Sequence, residues 1–92
     1  SQSKAIHAAL ARMDEMIIHS NVIIQDLESK DYLSPEDRVR LINQKRTNEF
    51  LVLEETEIFQ KFENLKWKRG IWTKTDLDTL NEILGKIKKY ED

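Results

Sequence analysis

Pro35 is the only proline in 92 residues, and the first of just two glycines is Gly70. These residue types are the strong terminators of helices, so the chain falls into three stretches, 1–34, 35–69 and 71–92, in which little opposes a helix. Each stretch carries apolar residues at helical spacing. In the first, Ile6, Leu10, Met13, Ile17, Ser20, Ile24 and Leu27 alternate steps of four and three, the stripe of an amphipathic helix interrupted only by Ser20. In the second, Val39, Ile42, Phe50, Leu53, Ile58, Phe62 and Leu65 read as one stripe. In the third, Leu77, Leu80, Leu84 and Ile87 do so.

The boundaries follow from local chemistry. In "SPED", Ser34 can cap free amides, Pro35 suits a first helical position and Asp37 can complete a capping box. Thr73 or Thr75, with Asp76 or Asp78 three residues on, offers the same device, and Gly70 can take the left-handed conformation that ends a helix. The expectation is an all-α antiparallel three-helix bundle, with helices over about 3–29, 35–68 and 73–90. The polar run 43–49, "NQKRTNE", is the place where the middle helix could break; a break near Thr47 would give a four-helix bundle instead.

Composition narrows the function. Fifteen Lys and Arg against seventeen Asp and Glu leave a net charge of -2, so no global basic field exists to hold nucleic acid or an anionic membrane. The absence of cysteine removes disulfides, thiol chemistry and cysteine–zinc sites and suits an intracellular protein, cytoplasmic or nuclear. No apolar run is long enough to span a membrane. A chain of this size makes one domain, residues 1–92; because it starts with Ser rather than Met, it is expected to be part of a larger protein.

Catalytic and metal chemistry find little support. His7 and His19 have no acidic partner at useful spacing, and Glu54, Glu55 and Glu57 lack the Glu-x-x-His pattern of carboxylate-bridged metal bundles. No glycine-rich phosphate loop is present. The expectation is a non-enzyme with no cofactor, no metal and no catalytic residue.

Register suggests where function lies. A turn centred near residue 32 sets His19, Ser20 and Asn21 beside Lys45, Gln44 and Asn43, so two polar interruptions coincide as a shared polar site, a register-setting polar layer or a solvent face. The third helix is too short to cover more than about residues 51–68 of the second and 1–13 of the first. The three-helix core is therefore expected at one end, with Ala5, Ala8, Ala9 and Ala11 set against larger aromatic residues. A two-helix hairpin then protrudes, carrying more apolar residues than it can bury. Ile17, Ile18, Val22, Ile24, Leu27, Val39, Leu41 and Ile42 are the expected partner-binding residues, and the partner is another protein or a second copy in a homodimer.

The stretch "KWKRGIWTKTD" supplies the alternative. Lys66, Trp67, Lys68, Arg69 and Trp72 interleave aromatic and basic groups, a mixture that can stack bases and hold phosphates, so a nucleic-acid or chromatin accessory role is the second reading. Cations in a last helical turn are better explained by the helix dipole. Residues 69–87 are similar to the opening helix of a Myb or SANT repeat in Arg69, Gly70, Trp72, Thr73 and the leucine spacing. The two further helices of that family have no counterpart here. The likeness implies a shared way of starting a helix and transfers no site.

Overall fold

A computed structural model describes residues 1–91 as three helices, α1 (Gln2–Glu28), α2 (Pro35–Lys66) and α3 (Lys74–Ile87), followed by a 3-10 turn at Lys88–Tyr90. The caps are the ones the sequence offers. The Ser34 side chain accepts from the Asp37 amide at 3.1 Å, and the Asp37 carboxylate accepts in return from the Ser34 amide. Thr73 and Asp76 make the same reciprocal pair, which decides between the two possible starts of α3. Gly70 is left-handed at φ +89°, but it lies beyond the end of α2. The helix closes first through the amides of Trp67 and Lys68, which reach Glu63 and Leu65, and Gly70 then turns the chain.

The polar run 43–49 does not break α2, which continues for 32 residues, about 48 Å at 1.5 Å per residue. The four-helix alternative is therefore not the one realised. Short α3 packs beside the second half of α2. Ile6, Ala9, Leu10 and Met13 of α1, Leu51, Ile58, Phe62 and Leu65 of α2, and Ile83, Ile87 and Tyr90 form the core there. Past Tyr90 only the α1/α2 hairpin remains. The radius of gyration, 17.0 Å, exceeds the roughly 12 Å of a compact chain of this length, and the long axis reaches 58 Å.

Two stripes expected from the sequence are corrected. On α2, Ile58, Phe62 and Leu65 are core, whereas Val39, Ile42, Phe50 and Leu53 are 57%, 50%, 53% and 71% exposed. At 100° per residue these four lie about 80–160° around the helix from Ile58, so they belong to a different face. Leu51 and Glu54 hold the inward positions in their place. On α3 the inward residues are Ile83 and Ile87, with Leu80 and Leu84 half-buried and Leu77 exposed. Ala9 alone of the four alanines is fully buried, and of Phe50, Phe59 and Phe62 only Phe62 enters the core.

Candidate interaction surface

Apolar residues of both helices line the seam of the hairpin. Leu27 is buried within it, and Ile17, Ile24 and Leu41 are half-buried. These four of the eight expected partner-binding residues thus serve the α1/α2 seam in part or entirely. Leu27, at 1% exposure, has no surface left for a partner. The other four, Ile18, Val22, Val39 and Ile42, are 50–63% exposed. Ile18 and Val22 sit one turn apart on α1, and Val39 and Ile42 three residues apart on α2.

Polar groups occupy the seam where both helices interrupt their stripes. Ser20 is buried, and its single hydroxyl proton is shared between the Gln44 carbonyl at 3.3 Å and the Gln44 side-chain oxygen at 3.4 Å. That pairing is the one register predicts. Asn21 instead accepts from Asn48 at 2.9 Å, and Lys45 pairs with Glu28 at 3.2 Å, so neither makes the expected contact with Asn43 or His19. A helix presents residues three and four apart to its neighbour, which is why Asn48, one turn from Gln44, flanks Ser20's partner and Asn43 does not. His19 is exposed in an open groove of about 560 Å³ shared with Met16, Ile23, Thr47 and Lys89, and His7 packs edge-on against Phe62 at 5.4 Å.

Sequence reasoning missed two members of the exposed surface, Phe50 and Leu53, by assigning them to the core. The signal was available. Positions 39, 42, 46, 50 and 53 step by three, four, four and three along one straight face of an α-helix, separate from 51, 54, 58, 62 and 65. Arg46, in the middle of that face, is exposed, as is Glu49 beside it.

The basic and aromatic segment is largely committed to the fold. Trp67 donates from its indole to Glu63 at 2.8 Å, Lys66 pairs with Glu63 at 3.7 Å and lies over the Phe62 and Trp67 rings, and Lys68 pairs with Asp76 at the start of α3. That lysine, with the Thr73 amide, holds the Asp76 carboxyl below its ordinary range. Trp72 packs half-buried against the core, and Arg69 is exposed. The likeness to a Myb or SANT opening helix is thereby reduced to a capped helix start with a tryptophan tucked beneath it.

Acidic residues next to one another do not converge on a cation site. Glu54 accepts from the Tyr90 hydroxyl and pairs with Lys89 at 3.0 Å; Glu57 pairs with Lys61 at 2.7 Å and Lys86 at 3.0 Å. Glu55 faces Asp14 across the α1/α2 seam, and burial, followed by hydrogen bonding and repulsion from Asp14, pushes its carboxyl up to about 7. Among the described residues no group of three or more His, Asp or Glu side chains could hold a metal ion, and no helix is long and apolar enough to cross a membrane. No protein family, curated protein or solved structure matches the chain.

Proposed function

We propose that this chain is a non-enzymatic, intracellular helical interaction module, of adaptor or regulatory type, that associates through the exposed apolar faces of its α1/α2 hairpin. One observation carries the reading: Val39, Ile42, Phe50 and Leu53 lie half or more exposed along one straight face of α2, with Ile18 and Val22 exposed on α1. Apolar side chains scattered singly on a surface require no explanation, but a periodic row of them gains free energy when covered. The row runs from the protruding hairpin at Val39 and Ile42 to the edge of α3, where Phe50 and Leu53 border Lys86, and its length suits coverage by another helix. The second reading, nucleic-acid binding at Lys66, Trp67, Lys68, Arg69 and Trp72, has weaker support because Lys66, Trp67 and Lys68 are engaged by acidic neighbours.

Sedimentation equilibrium combined with binding of an apolar fluorescent dye tests the module reading. A mass twice the 10.9 kDa of the chain, or a monomer that binds the dye and loses it on Ile42→Glu, supports it. A monomer that binds no dye overturns it.

A further inference from the structure

We infer that the occupant of the α2 face is a second copy of the same face, packed antiparallel about a two-fold axis between Thr47 and Asn48. This rests on the module reading and adds the identity of the partner.

The inference comes from the order of residues along the face. From residue 38 to 57, about 29 Å of helix, the charged and apolar groups on this face run Arg38, Val39, Ile42, Arg46, Glu49, Phe50, Leu53 and Glu57, with exposed Asn43 and Thr56 among them. Charge is antisymmetric about the middle, basic in the first half and acidic in the second; Ile42 and Leu53 are mirror positions there, while Val39 and Phe50 fall opposite Thr56 and Lys45. That charge pattern is the condition for a self-complementary antiparallel pair, in which each contact occurs twice. An unrelated partner would impose no such antisymmetry of charge. Rotation about the axis lays Ile42 against Leu53 of the second copy and brings Arg46 within reach of Glu49 of that copy. Arg38 and Glu57 place opposite charges at the two ends.

Lys89 of the same chain lies 4.9 Å from the Phe50 ring, and the centre of the face is free. Among the described residues, neither Arg46 nor Glu49 has an ion-pair partner in its own chain. Glu57 is held by Lys61 and Lys86, so the discriminating charge pair is Arg46 with Glu49. At their observed exposures the four apolar side chains present on the order of 400 Å² per copy, about the size at which a surface patch is commonly functional. Together with the flanking charged side chains this reaches the lower end of the range for specific interfaces, so the dimer is a weak one.

A charge swap tests the pairing. Sedimentation equilibrium from about 1 μM to about 1 mM should show a monomer–dimer equilibrium in the unaltered chain. Arg46→Glu should weaken the dimer by about tenfold or more, as should Glu49→Arg, because each sets like charges together twice. The double variant Arg46→Glu/Glu49→Arg should restore it. Far-ultraviolet circular dichroism confirms that each variant remains helical. A chain that stays monomeric at 1 mM overturns the second copy, while dye binding still decides the module reading. A dimer that ignores Arg46→Glu but dissociates with Ile18→Glu also overturns this pairing, leaving association through the hairpin intact.

Discussion

The hydroxyl of Tyr90 donates to the carboxylate of Glu54, whose second oxygen pairs with Lys89 at 3.0 Å. Glu54 is 8% exposed and Tyr90 6%, so a charge on the inward side of α2 is matched by the last turn of the described chain. Burial, and then the bond to Glu54, raise the Tyr90 phenol well above its ordinary value. Tyr90→Phe leaves the buried carboxylate with one donor fewer and should lower stability by about 1–2 kcal/mol, measured by urea denaturation at neutral pH.

Glu55 makes stability depend on pH. Its carboxyl rises from the ordinary 4.5 to about 7 in the folded chain, chiefly through burial and then through Asp14. The folded state therefore binds more protons than the unfolded state between those values. The stabilising contribution is complete below 4.5 and is lost as pH rises through 7. Glu55→Gln should flatten the fall in stability over this window and raise the melting temperature at pH 8, as measured by thermal denaturation across pH 4 to 8.

Leu53 and Ile58 separate the two faces of α2. Ile58 is 1% exposed at the centre of the three-helix core, and Ile58→Ala should cost about 2–5 kcal/mol through the cavity it leaves. Leu53 is 71% exposed, so Leu53→Ala should change folding stability by no more than about 0.5 kcal/mol in dilute monomer. Equal effects in denaturant titrations would show that the sequence's single stripe is right and the two-face arrangement wrong.

Capping should be measurable at the start of α3. Thr73→Ala removes the acceptor for the Asp76 amide and should cost about 1 kcal/mol. Thr75→Ala should have a smaller effect, because Thr75 lies inside the helix. Thermal melts of the two variants give the comparison.

Ser20 is buried, yet both of its oxygen contacts, at 3.3 and 3.4 Å, are long. Ser20→Ala should therefore change stability by less than about 1 kcal/mol. A larger loss in urea denaturation would show that this hydroxyl, rather than the surrounding apolar seam, fixes the register of the hairpin.

The sequence by itself determined the punctuation. Ser34, Pro35 and Asp37 start α2, the start of α3 is narrowed to Thr73 or Thr75, and the four-three spacing of α1 places its inward face correctly from Ile6 to Leu27. These are legible because caps and helical periodicity depend on residues within a few positions of one another. The uneven architecture was equally open to arithmetic, since helix lengths set how far α3 can reach. Only the tertiary structure decided which side of α2 is inside. Val39, Ile42, Phe50 and Leu53 are as periodic as Leu51, Ile58, Phe62 and Leu65, and periodicity gives a face without saying what stands opposite it. The choice depends on where α1 and α3 lie around the helix. Those neighbours turn Glu54 inward to meet Tyr90 and Lys89, and leave the row from Val39 to Leu53 facing outward.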